Sequence, residues 1–262
     1  MLDARALAGA LASTDLRLVA LATAPVLVCL VAGCVRLWAL VTLAPARRRI
    51  ALGDAARVYL AACAGQQVLP APAGELLRAR ALARGHGVPL RALLLCHAAE
   101  KAVDVAALAI CLAPLAFAAA PPVLRRPLLV AACVAAALPV AVALCRAGWR
   151  SAVALALAAG VAEHLAHALS IAGLAVAAHA VLPAGGCLVA VGATRLAGLV
   201  PAAPGQLGVA EAALAGALRL YGVPIERALA LALLYRVAHA VPALALGLPW
   251  WRRLAAPAEA AA

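Results

Sequence analysis

Two stretches of this chain decide how it folds: Leu69-Pro70-Ala71-Pro72-Ala73-Gly74-Glu75-Leu76 and Val200-Pro201-Ala202-Ala203-Pro204-Gly205-Gln206-Leu207. Each is a proline–glycine break in apolar sequence. Each is followed by a second shared landmark, Gly87-Val88-Pro89-Leu90 and Gly222-Val223-Pro224-Ile225, and then by a long apolar run holding one cation, Lys101 or Arg236. Gly74 and Gly205 lie 131 residues apart, and both Gly87/Gly222 and Lys101/Arg236 lie 135 apart. The order of landmarks is therefore duplicated, with a small insertion in the second copy. Paired Gly/Pro-interrupted hydrophobic segments in corresponding halves are the mark of membrane transporters built from repeats.

Composition agrees. Of 262 residues 68% are hydrophobic and 12% charged, and the mean hydropathy is +1.07. That leaves too little polar surface to coat a water-soluble core. Several runs exceed the roughly 20 apolar residues that cross a bilayer, and alternating strands are absent, which excludes a β-barrel. In a membrane protein the net charge of +12 reads as arginine facing anionic lipid, not as a nucleic-acid surface, since aromatics are only 3%. The eight cysteines stand singly without CxxC spacing and read as small core residues. Arginine used almost to the exclusion of lysine points to a GC-rich bacterial genome, hence to the inner membrane.

The expected spans are about 16–44, 92–119, 127–145, 152–182 and 226–250. Residues 54–86 and 187–221 read as hairpins that dip in and return. With that topology 12 of the 22 basic residues fall on the cytoplasmic side or its hairpin, seven on the other side and three inside spans. The two hairpins then enter from opposite faces. The fold class is an all-α polytopic membrane protein with inverted repeats, each a re-entrant hairpin plus a long transmembrane helix. It forms a single transmembrane domain over 1–262, with repeat 1 at about 54–119 and repeat 2 at about 187–250. Helices are expected to begin at Glu75 and near Gly208, aiming their free amides into a cavity suited to an anion.

A charge at mid-span costs roughly 2.5–3.5 kcal/mol on insertion scales, so Glu100, Lys101 and Asp104 together require partners or water. They are either a self-neutralising structural cluster or the lining of a substrate path. Glu75–Arg78 and Glu211–Arg236 are expected pairs that pin the hairpins, gate a path, or do both. Glu163, His164 and His167 fit neither HExxH nor HxxEH spacing and read as a polar patch between helices, not a metal site. No cofactor is implied, and no P-loop is present for ATP hydrolysis.

Pro70-x-x-x-Gly74-Glu75-x-x-Arg78, Glu100-Lys101-x-x-Asp104, Pro201-x-x-Pro204-Gly205-x-x-Gly208-x-x-Glu211 and Arg236 together resemble the flippase-like family that includes the transmembrane region of lysylphosphatidylglycerol synthase. The similarity covers about residues 30–250. It implies movement of lipids or lipid-linked intermediates between leaflets, with Glu75, Arg78, Glu100, Asp104, Gly205, Glu211 and Arg236 as the functional positions. Three departures stand out. Lys101 takes the place of the family's arginine, the asparagine that precedes the first turn is absent with Gln66 and Gln67 nearby, and the N-terminus looks one span short. No aminoacyl-transferring domain follows residue 253, so synthesis of the aminoacylated lipid is not expected of this sequence.

The resulting expectation is a non-enzymatic lipid translocator whose partners are membrane lipids. Lys101, Arg236 and the hairpin amides around Gly205 and Gln206 would hold a phosphate, while Glu100, Asp104 and Glu211 would bind a cationic headgroup or carry protons. Two rivals stand beside it. One is a membrane enzyme using Glu163/His164/His167 or Glu100/Asp104 as acid–base groups. The other is a scaffold subunit for a lipid- or glycan-modifying enzyme, with a dry interior and every buried charge paired.

Overall fold

The computed structural model describes residues 4–69, 71–119, 147–198 and 207–255. The expected span at 127–145 and the turn residues Pro70, Pro201, Pro204, Gly205 and Gln206 lie outside them. The described chain is helical: α1 (Ala4–Ala12), α2 (Leu16–Val41), α3 (Leu52–Val68), α4 (Ala71–His86), α5 (Leu90–Ala119), α6 (Arg150–Ala177), α7 (Ala184–Ala197), α8 (Val209–Arg219) and α9 (Ile225–Ala255). Stretches within α2, α6 and α9 are long and apolar enough to cross a membrane, and the protein is a polytopic helical membrane protein. At 1.5 Å per residue α3 and α4, of 17 and 16 residues, reach only about 25 Å, and α7 and α8 are shorter still. Each falls short of the hydrocarbon layer of about 30 Å.

Local chemistry explains the breaks. Pro72 sits in the first turn of α4, where its missing N–H has no intrahelical partner to lose. The helix therefore starts at Ala71, one turn earlier than expected, and Glu75 lies inside it and not at its positive end. α6 stops at Ala177 instead of continuing to 182 because His179 turns the chain in the left-handed region (φ 53°). The repeated Gly-Val-Pro landmark adopts one conformation twice. Gly87 and Gly222 both have positive φ (65° and 80°), which glycine tolerates, and both following valines are buried. The carbonyls of Pro89 and Pro224 then accept the first helical hydrogen bonds of α5 and α9.

The packing has a matching regularity. The most extensive contact is between α2 and α6, which run antiparallel: the Asp15 amide donates to the Ala177 carbonyl at 3.2 Å. Without a hydrophobic drive between helices in lipid, close approach depends on small residues. Gly173 faces Ala22 of α2, and Gly160 faces Ala107 of α5. The contacts α2–α3, α3–α4, α4–α5, α2–α5, α2–α9 and α3–α9 have counterparts in α6–α7, α7–α8, α8–α9, α6–α9, α6–α5 and α7–α5.

Different helices gather at the two ends of α9. At one end the Arg47 amide donates to the His86 carbonyl, and Trp250 stacks against the Arg57 and Arg253 guanidiniums, each 5.1 Å from the ring centre. This end gathers the start of α3 and the ends of α4 and α9. At the other end Gly186 of α7 meets Tyr221 beyond α8, and Arg227 donates to the His179 carbonyl. Gln67, near the end of α3, faces Arg195 of α7 and Glu211 of α8 across one cavity.

Candidate functional site

Between these helices runs a continuous ladder of alternating charges. It begins on α4, where Glu75 pairs with Arg78 at 2.6 Å and accepts a hydrogen bond from Gln66 of α3 at 3.1 Å. Arg78 also donates to His97 at 2.9 Å and binds Glu100 of α5 at 2.7 Å. Arg36 of α2 is the centre: it lies 3.7 Å from Glu100, 3.0 Å from Asp104 and 2.7 Å from Glu163 of α6, and is 5% exposed. Glu163, at 3% exposure, turns its other oxygen to Arg195 of α7 at 2.6 Å. Arg195 in turn contacts His167, which lies 2.8 Å from both the Tyr235 hydroxyl and the His239 ring of α9. His164, fully buried, faces Asp104 at 3.4 Å. Glu211 of α8 pairs with Arg236 of α9, and its second oxygen accepts the Gly208 amide at 2.8 Å, capping the helix.

The physical logic is compulsory pairing. An isolated charge in a low-dielectric interior is costly, so each group must meet an opposite one or water. Among the described residues five carboxylates (Glu75, Glu100, Asp104, Glu163, Glu211) face four guanidiniums (Arg36, Arg78, Arg195, Arg236). With neutral histidines the ladder carries one excess negative charge.

A cavity stands at each end. The first, about 560 Å³, is walled by Leu37, Leu40, Leu82 and Leu93 and carries Glu75, Arg78, His97 and Glu100 as its polar groups. The second, about 180 Å³, is bordered by Gln67, His167, Arg195, Glu211, Arg236 and His239. An aliphatic groove with one charged corner suits an amphiphile; the smaller, polar cavity suits a headgroup.

The structure brings together Glu75, Arg78, Glu100 and Asp104, and separately Glu211 with Arg236. Both expected hairpin pairs are present. Lys101 is exposed and stands outside the close ion pairs: Glu100 binds Arg78 and Arg36, and Asp104 binds Arg36. The cluster is thus not self-neutralising through Lys101, because a residue next to Glu100 in a helix projects about 100° away from it. Gly205 and Gln206 fall outside the described residues. Sequence reasoning missed Arg36 and Arg195 and undervalued Glu163. The available signal was that an arginine inside an apolar run marks a functional position.

Cys29, His167 and His239 also converge, their ligand-type atoms lying within 4.8 Å of one another. Here the nitrogens are engaged in hydrogen bonds and the Arg195 cation lies against His167. This geometry is that of a hydrogen-bonded cluster.

With this site in view, the comparisons place the chain. The family described as "Lysylphosphatidylglycerol synthase TM region" matches residues 1–171 and 146–247. The chain belongs to that family. A search of curated proteins finds none that matches.

Proposed function

We propose that this member of the lysylphosphatidylglycerol synthase transmembrane-region family carries an anionic amphiphile, a phospholipid or lipid-linked intermediate, between the leaflets of a bacterial inner membrane. Its two halves act as inverted repeats with re-entrant hairpins, and it makes and breaks no covalent bond. The observation that carries this reading is the ladder from Glu75 to Arg195, buried among apolar helices and ending at a cavity beside each hairpin. The lipid phosphate would exchange for a carboxylate at Arg78 on one side and at Arg195 and Arg236 on the other. The acyl chains would stay in the bilayer, against the leucine wall of the larger cavity. Rocking of one half against the other would expose the two cavities in turn.

One observation favours the scaffold rival: Arg36, Arg78, Arg195 and Arg236 all have carboxylate partners, as a purely structural lock would. The cavities at both ends weigh the other way, since a lock has no need of them. Reconstitution into phosphatidylcholine vesicles with a fluorescent short-chain phosphatidylglycerol and a leaflet-accessibility assay separates the readings. Arg236→Ala and Glu100→Gln, with wild-type expression and monodispersity, should abolish lipid exchange. Unchanged exchange in both would leave the scaffold reading standing.

A further inference from the structure

The His167–His239 pair has no task in the lipid path just described, yet its hydrogen bonds fix both rings in a definite state. A guanidinium can only donate, so Arg195 makes the Nε2 of His167 an acceptor and leaves its single ring proton on Nδ1. That proton points to His239 Nε2 at 2.8 Å, with the Tyr235 hydroxyl equally close. A carbonyl can only accept, so His239 carries its own proton on Nδ1, donated to the Tyr235 carbonyl at 2.9 Å. The rings stack at 4.7 Å and 14°. Both are therefore neutral, and the lock on His167 is Arg195.

We infer that His167 is the proton-carrying site of a lipid–proton symporter, loaded when the cargo phosphate draws Arg195 away from it. This inference rests on the transport reading above. Once Arg195 turns to the phosphate in the smaller cavity, His167 Nε2 is free and Glu163 has lost one of its two cations. A proton from the aqueous phase bonds to Nε2, and the new N–H faces the Glu163 carboxylate, whose nearer oxygen is already 3.7 Å away. The Nδ1–H bond to His239 is kept. The other ionisable groups around the pair are Cys29 of α2, Glu211 of α8 and Tyr235 and Arg236 of α9. Of these only Glu211 is a carboxylate, and both of its oxygens are engaged, one by Arg236 and one by the Gly208 amide. Charge supports the coupling: the ladder already holds one excess negative charge, and an incoming phosphodiester adds a second unless a proton enters with it. Cargo and proton thus bind together, leave together, and move without net charge.

The test uses full-length protein in phosphatidylcholine vesicles with fluorescent short-chain phosphatidylglycerol. An imposed pH gradient should drive the probe to the alkaline side by about tenfold per pH unit, and a valinomycin potassium potential should not. His167→Gln, with wild-type expression and monodispersity, should lose the response to pH. As a check independent of any variant, adding the lipid to detergent-solubilised wild type in weak buffer should take up about one proton per lipid bound. Exchange that ignores the pH gradient, a gradient response retained by His167→Gln, or no proton uptake on binding would overturn the symport inference and leave lipid transport intact. No exchange at all under any gradient would instead refute the transport reading.

Discussion

Arg36 is the position whose loss the structure makes most specific. It holds three carboxylates, but two of them have a second guanidinium: Glu100 keeps Arg78 at 2.7 Å and Glu163 keeps Arg195 at 2.6 Å. Among the described residues Asp104 alone loses its only direct guanidinium pair, keeping His164 at 3.4 Å and the more distant charge of Arg195. Arg36→Met is therefore expected to leave one half-buried carboxylate without a direct ion pair, a loss of about 3 kcal/mol. For a chain of this size that lowers the midpoint of thermal unfolding by about 10 °C. The measurement is tryptophan-fluorescence unfolding in detergent. The decisive comparison is between two double variants: Arg36→Met/Asp104→Leu should recover most of the loss, whereas Arg36→Met/Glu100→Gln should not. A single variant as stable as wild type would refute the reasoning. So would equal rescue by both doubles, since the orphan would then not be Asp104.

Three further outcomes follow from the packing and the charges. Gly173→Val places a side chain where a Cβ would already lie 2.8 Å from that of Ala22, so it should cost about 1–3 kcal/mol in the same unfolding assay, with partial rescue by Ala22→Gly. Glu211→Ala removes both the cap on the Gly208 amide and one ion pair of Arg236; it should cost about 1–2 kcal/mol and abolish lipid exchange. Lys101→Gln changes an exposed residue outside the ladder and should leave stability within about 0.5 kcal/mol and lipid exchange within about twofold of wild type; a larger loss of exchange would return Lys101 to the lipid path.

The sequence by itself determined whatever depends on composition and on neighbours along the chain. Its hydropathy required a membrane, and its proline–glycine breaks located the short helices. The duplicated Gly-Val-Pro turn specified one backbone conformation twice, since positive φ at Gly87 and Gly222 is a local property. The Glu75–Arg78 pair was legible for the same reason, three residues being one turn of helix. Glu211–Arg236 was legible from the duplicated order of landmarks. Only the tertiary structure decided the middle of the ladder. Arg36 reaches Asp104 and Glu163 because α2 packs against α5 and α6 with one rotation about its axis, and Arg195 reaches Glu163 and His167 because α7 packs against α6. Which face of an almost uniformly apolar helix turns inward is not written in its hydropathy. In lipid that face is selected by small-residue contacts such as Gly173 on Ala22 and by the need of each buried charge to find its opposite, and both conditions are satisfied only when all the helices are in place.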